Sequence, residues 1–247
     1  MRTPLRLGRA RGFAYAPLPP GIAEDLERWL LERRVDGPGT TVIKDRRVYR
    51  RGPHVYKFFP PGRRLRDAGR RFAAVRSAEL SARLAPIATP APLCALGLRE
   101  GLFPGASLLA SAFVDGRTIS EVWDRDARAM DALADVLARM HRRSLFHGDF
   151  HPGNMLWDGL DWYVIDVGGM RHPLRSLRAT KLALDAWAEL DRRLGSPASL
   201  EHAFRRYHAA LGPRAPGGAA DEAWRRVAER SRELGPARSQ PSASTTR

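Results

Sequence analysis

The sequence predicts an α+β chain in two lobes, a small antiparallel sheet with one helix followed by a compact, mainly helical lobe. Three observations predict it. Short segments rich in β-branched and aromatic residues fill much of the first half, separated by charged or glycine-containing turns. Apolar stripes at helical spacing dominate the second half. Between those stripes lies His147-Gly148-Asp149-Phe150-His151-Pro152-Gly153-Asn154, followed by Tyr163-Val164-Ile165-Asp166, an ordered set of polar residues that rarely arises by chance.

The elements follow in chain order. Residues 1–20 are basic and expected to be flexible, residues 21–113 form the sheet lobe, residues 114–234 the helical lobe, and residues 235–247 a Pro-, Ser- and Thr-rich disordered tail. Thr41 to Lys44, Val48 to Arg50 and His54 to Phe59 read as a three-stranded meander. Leu65 to Leu84 carries Phe72, Val75, Leu80 and Leu84 at near-helical spacing. The prolines between Ala85 and Pro92 exclude a helix and favour an extended connection. Leu93 to Leu98 and Ala106 to Val114 complete the sheet, the latter leading through Asp115-Gly116 into the second lobe. Asp126 to Arg143 is a helix with its stripe at Met130, Leu133, Ala134, Leu137 and Met140. Met155 to Trp157 and Trp162 to Ile165 form a hairpin around Asp158-Gly159-Leu160-Asp161, and two further helices span about Thr180 to Arg193 and Leu200 to Leu211.

The polar residues fit phosphoryl transfer from ATP. That reaction needs an acceptor hydroxyl held in line and the charge growing on the phosphate offset by Mg²⁺. Asp149 is the candidate catalytic base; Asn154 and Asp166 are the candidate metal ligands, one neutral oxygen and one charged. Asp and Asn beside Pro and Gly are also common turn residues, so it is the combination that carries the reading. On the nucleotide side, Lys57 is one of few lysines in an arginine-rich chain and sits among apolar strand residues, suited to the α- and β-phosphates. Glu79 is the candidate carboxylate that holds Lys57, although an ordinary helix-surface pair with Arg83 is the competing role. Backbone groups around Ser111 to Phe113 are expected to meet the adenine edge. Asp185-Ala186-Trp187 resembles the Asp-x-Trp that braces the catalytic loop in many kinases, with a surface aspartate and a packed tryptophan as the equal alternative.

Over residues 40–210 the chain resembles the bacterial lipopolysaccharide kinase family, small proteins of protein-kinase-like fold that phosphorylate Kdo or core heptose sugars. The resemblance rests on Val55-Tyr56-Lys57, Glu79 followed by Ile87-Ala88-Thr89-Pro90, Leu108-Leu109 running to Asp115-Gly116, and the His147 to Asp166 core. It implies ATP, Mg²⁺ and a sugar hydroxyl of a membrane glycolipid. There are departures. The first turn of the meander is Lys44-Asp45-Arg46-Arg47 rather than a glycine-rich loop, which leaves phosphate contact to side chains. Gly148 replaces the arginine that would read an activating phosphate, so activation by loop phosphorylation is not expected. No Ala-Pro-Glu follows Asp166, which favours a glycan or small-molecule acceptor over a protein.

Composition is consistent with an anionic partner. The chain has 42 Lys+Arg against 27 Asp+Glu, a net charge of +15, with arginines clustered at Arg46-Arg47, Arg50-Arg51, Arg63 to Arg71 and Arg171 to Arg178. Such a surface would attract glycolipid or membrane headgroups, and nucleic acid is the less expected partner. The length of 247 residues with 43% hydrophobic content suits one two-lobed unit, expected to be a monomer. No apolar run reaches transmembrane length, and Met1 to Arg11 lacks the apolar core of a signal peptide, so a cytoplasmic location, peripheral to the inner membrane, is expected. The single cysteine, Cys94, cannot form an internal disulfide. Three readings remain open on the residues alone: a glycan kinase; an aminoglycoside- or choline-type phosphotransferase or atypical protein kinase; and a catalytically silent relative that binds glycolipid or nucleic acid.

Overall fold

The computed structural model describes residues 2–20, 22–44, 47–61, 71–100, 103–173, 176–195, 197–216 and 218–235. The tail 236–247, the start of the helix expected from Leu65, part of the Arg63 to Arg71 cluster and the centre of the Lys44 to Arg47 turn lie outside the described residues. The chain divides into two compact units, one of residues 1–115 with 163–169, the other of residues 116–162 with 170–247. The segment Tyr163–Gly169, expected in the helical lobe, thus packs with the first unit.

The first unit is a seven-stranded sheet of entirely antiparallel neighbours. Its strands are β1 (Thr3–Leu7), β2 (Ala10–Ala14), β3 (Thr40–Lys44), β4 (Val48–Arg51), β5 (His54–Phe59), β6 (Pro92–Glu100) and β7 (Phe103–Ala112), in the order β1-β2-β6-β7-β5-β4-β3. The expected meander and the two later strands are present. The N-terminus is a correction: instead of a flexible arm it forms the β1–β2 hairpin, and β2 pairs with β6 through Gly12↔Leu96 and Phe13↔Ala95. Gly12 permits that approach, because a Cβ there would sit 1.8 Å from the Ala95 carbonyl oxygen.

Two helices cover the sheet. α1 (Ile22–Glu32), which the sequence reading did not anticipate, buries Leu26, Trp29 and Leu30 against Tyr49, Tyr56, Phe58, Leu96 and Leu108. α2 (Ala73–Leu84) packs Ala74, Val75 and Ala78 against Ala95, with Phe13, Phe59 and Leu109 alongside. The alternation of a strand explains the split: Tyr56 and Phe58 point to α1, so Lys57, with its neighbour Phe59, points to α2. Each fully buried large side chain contributes about 1.5–3 kcal/mol, so both faces of the sheet hold Lys57's strand in place.

The second unit is mainly helical. β8 (Arg117–Thr118) pairs with β9 (Met155–Trp157), and α3 (Ile119–Val122) starts with a capping box in which the Glu121 carboxylate accepts from the Thr118 backbone N–H and hydroxyl. α4 (Ala127–Arg142) is N-capped by Asp126, whose Oδ1 accepts from the backbone N–H groups of Arg128 and Ala129. Asp126 Oδ2 also accepts from Trp157 Nε1, and Trp162 Nε1 donates to the Ala129 carbonyl at 2.6 Å, tying β9 and the residue after its turn to α4. β10 (Trp162–Val164) follows the turn at Asp158–Asp161, closed by Asp158 Oδ1 accepting from the N–H groups of Leu160 and Asp161. α5 (Ser176–Leu194), α6 (Ala198–Leu211) and α7 (Ala220–Glu233) complete the unit around buried Trp187, Phe204 and Tyr207. α7 was not anticipated. No helix among the described residues is long and apolar enough to cross a membrane.

Candidate active site

In the second unit, the loop after α4 carries the acid and amide. Ser144 turns the chain out of the helix at φ 55, and Phe146 then forms a two-hydrogen-bond bridge to the backbone of Arg171, at 2.7 and 3.0 Å. That bridge fixes the root of the loop. His147 is buried and its Nδ1 accepts the Asp149 N–H at 3.3 Å, while His151 Nδ1 accepts the Gly153 N–H at 3.1 Å and caps a 3₁₀ turn, Pro152–Asn154, with proline at its start. Both histidines thus shape the loop with their ring nitrogens.

Asn154 is the most constrained polar side chain of the loop. It is 4% exposed and its Nδ2 donates to the Asp149 carbonyl at 2.8 Å. A carbonyl can only accept, so this bond orients the amide and leaves Oδ1 facing away from Asp149's backbone, available as a neutral oxygen ligand. Asp149 itself is exposed, and it forms no ion pair among the described residues. It lines a cleft of about 340 Å³ that also includes His151, Arg171, Asp185, Glu189 and Arg230. Asp185, half of the expected Asp-x-Trp brace, is bound by Lys181 and Arg230, at 2.5 and 2.9 Å, while Trp187 packs on Phe204 and Tyr207.

In the first unit, Lys57 Nζ lies 2.5 Å from Asp166 Oδ1. Asp166 adopts φ 55, a left-handed conformation that costs an ordinary residue about 1 kcal/mol and that Asp tolerates better than most. It is followed by a 3₁₀ turn, Val167–Gly169, packed on α2: a Cβ on Gly168 would sit 2.6 Å from Ser77 Oγ, and Arg76 Nη2 approaches the Gly168 carbonyl at 3.5 Å.

Two expectations change. Lys57 pairs with Asp166, whereas Glu79 is held by Arg2 and by Arg71 at 2.6 Å. Burial would raise the Glu79 pKa, but the hydrogen bonds from Arg2 and Arg71 outweigh it and keep the carboxyl below its usual value. The competing Arg83 pair is also not what engages it. The adenine-edge assignment meets a second obstacle: the Ala112 N–H donates to the Ala91 carbonyl and the Phe113 N–H to the Pro53 carbonyl, while Ser111 lies within β7 between Val55 and Pro92. Those donors are consumed by the sheet, and the Phe113 ring is covered by the Arg50 guanidinium at 3.7 Å. Ser77 has no local signature in the sequence, Arg171 stands there only as a member of the Arg171 to Arg178 cluster, and the contact of Gly168 with Ser77 is visible only in the fold.

The sheet, its flanking helices and the loop define a protein-kinase-like fold. It is similar to an aminoglycoside-3'-phosphotransferase of type VIII, with a TM-score of 0.53 at 18% identity over 84% of this chain and 99% of that one. Residues 110–172, which include the whole His147 to Asp166 core, match the model of the Phosphotransferase enzyme family. Within that class the resemblance to the lipopolysaccharide kinase family holds. The chain is 35% identical over 159 residues to a 3-deoxy-D-manno-octulosonic acid kinase of Xanthomonas campestris pv. campestris, covering 60% of this chain and 61% of the relative. It is 33% identical over 157 residues to the protein of that name from Xanthomonas oryzae pv. oryzae. The match therefore spans about 61% of the length of these curated relatives.

Proposed function

We propose that the protein is an ATP-dependent kinase that phosphorylates a sugar hydroxyl of lipopolysaccharide or a related envelope glycolipid, of the octulosonic acid type named for its relatives. The observation that carries the reading is the exposed Asp149 carboxylate on a loop braced from within by Asn154 and open to a sugar-sized cleft. The acceptor oxygen attacks the γ-phosphorus, its proton passes to Asp149, and the bond to the β-phosphate oxygen breaks to release ADP. Lys57 would contact the α- and β-phosphates when the nucleotide competes for its ammonium, which would leave the Asp166 carboxylate free to act as an oxygen ligand. Asn154 offers an amide oxygen and Asp166 a carboxylate, each the kind of ligand that suits Mg²⁺, which would offset the phosphate charge when bound.

The family model also supports a second reading, a small-molecule phosphotransferase of aminoglycoside or choline type. One experiment separates them. Labelled ATP is offered with lipopolysaccharide, aminoglycoside and protein fractions in turn. Label in lipopolysaccharide that is lost in Asp149→Ala supports the proposal; label confined to aminoglycoside or protein overturns it.

A further inference from the structure

The cleft beside Asp149 has an uneven charge arrangement. Glu189 is shared by Arg192 and Arg193, at 2.7 and 2.5 Å, and Asp185 by Lys181 and Arg230. Both wall carboxylates are therefore already neutralised. Two charges on the lining have no ion-pair partner among the described residues: the carboxylate of Asp149 and the guanidinium of Arg171. They do not satisfy each other, since no ion pair within 4 Å joins them, although the Phe146–Arg171 bridge ties the backbone of Arg171 to the root of Asp149's loop. Leu182 and Ala186 add apolar surface to the lining.

A ligand that completes this cleft needs a hydroxyl for Asp149 and, on the same small body, an anion for Arg171. We infer that Arg171 is a specificity-determining residue that binds the carboxylate of an acidic sugar acceptor while one of that sugar's hydroxyls meets Asp149. A guanidinium matches a carboxylate through two parallel N–H···O bonds, which fixes the sugar's orientation as well as holding it. A volume of about 340 Å³ suits one sugar ring with its substituents rather than an extended glycan. The two other carboxylates on the lining, Asp185 and Glu189, are each held by basic side chains, so neither is left to repel an anionic guest.

This inference rests on the kinase reading, and the test keeps the two apart. The probes are a methyl glycoside of 3-deoxy-D-manno-octulosonic acid and the same glycoside with its carboxyl methylated. Binding to the full chain is measured by calorimetry and phosphorylation separately with labelled ATP. The wild type is expected to bind the acid at least tenfold more tightly than the ester; Arg171→Ala is expected to lose that preference and Arg171→Lys to keep part of it, since one charged hydrogen bond survives. The side chain of Arg171 takes no part in the Phe146 bridge, so the variant should fold, and unchanged nucleotide affinity with an unchanged circular dichroism spectrum checks this. Equal affinity of wild type for acid and ester, or an undiminished preference in a folded Arg171→Ala, overturns the inference. Acid-selective binding without any phosphorylation supports the subsite and overturns the kinase reading instead.

Discussion

Lys57 and Asp166 meet at 2.5 Å within the first unit, one from the middle of a strand buried on both faces and the other from a left-handed turn packed on α2. The pair is partly exposed, with side chains 26% and 42% accessible, so its own contribution to stability is at most about 1 kcal/mol. Under the proposed function its value lies in nucleotide and metal binding. Asp166→Asn keeps a residue that tolerates φ 55 and removes only the charge. The expected result is a urea midpoint close to wild type together with a loss of Mg²⁺-dependent ATP turnover of about a hundredfold or more. A folded variant with undiminished turnover would remove Asp166 from the site.

The turn that presents Asp166 depends on a contact between Gly168 and Ser77. An added Cβ at Gly168 would lie 2.6 Å from Ser77 Oγ but 3.9 Å from Ser77 Cβ, which is ordinary contact. Gly168→Ala is therefore expected to destabilise the protein by about 1–3 kcal/mol through overpacking. Ser77→Ala removes a buried hydroxyl that has no hydrogen-bond partner and should be near neutral. In the double variant most of the Gly168→Ala cost should vanish. Denaturant unfolding of the four proteins measures the coupling, and strictly additive effects would show that the two residues do not touch.

The contrast between these residues and the catalytic loop shows what the sequence could reveal. Asp149, Asn154 and the hairpin after them are close in sequence, and their spacing carries the proposed chemistry. Lys57 was legible because β5 alternates cleanly and lysine is rare in this chain. Ile22–Glu32 also held a readable stripe at Leu26, Trp29 and Leu30, and was overlooked. The N-terminal strands were harder, since Thr3–Leu7 and Ala10–Ala14 are broken by arginine, proline and glycine and gain their order from pairing with each other and, through β2, with β6, some eighty residues away in sequence. Glu79 failed as Lys57's partner for the same reason: Arg2 reaches it from β1's end of the sheet, and no local pattern announces that.

At Asn154 the proposed metal ligation can be separated from the observed bracing of the loop. Asn154→Ala loses both the Oδ1 oxygen and the 2.8 Å bond to the Asp149 carbonyl. Asn154→Asp keeps an oxygen, and a charged one, but replaces the donor with an acceptor facing that carbonyl. Turnover is expected to fall in both. The Mg²⁺ concentration for half-maximal turnover should rise in the alanine variant, whereas the aspartate variant should keep metal response while losing thermal stability by about 1–3 kcal/mol from the unpaired, buried acceptor. Full activity in Asn154→Asp would mean that the bond to Asp149 does not position the loop.

His141 gives the root of the same loop a pH dependence. Its ring stacks on Phe146 at 4.4 Å and shares a 2.7 Å hydrogen bond with the Tyr207 hydroxyl. A cation in the last turn of α4 would be favoured by the helix dipole, yet burial wins and pushes the His141 pKa down from 6.5 to about 3. Between those values the unfolded chain binds the proton and the folded chain does not, so stability rises with pH through this window and is fully present above 6.5. Acidification from pH 6.5 toward 5 should cost up to about 1.4 kcal/mol per pH unit, before carboxylates titrate appreciably. His54, also lowered by burial, acts in the same direction and is retained in both proteins compared. His141→Gln keeps a partner for Tyr207 but cannot titrate. Its unfolding free energy should therefore fall less than that of the wild type between pH 6.5 and 5, and its turnover should survive acidification better, because Phe146 and its bridge to Arg171 are no longer undermined by a charge beneath them. Parallel pH profiles for the two proteins would show that His141 does not control the loop.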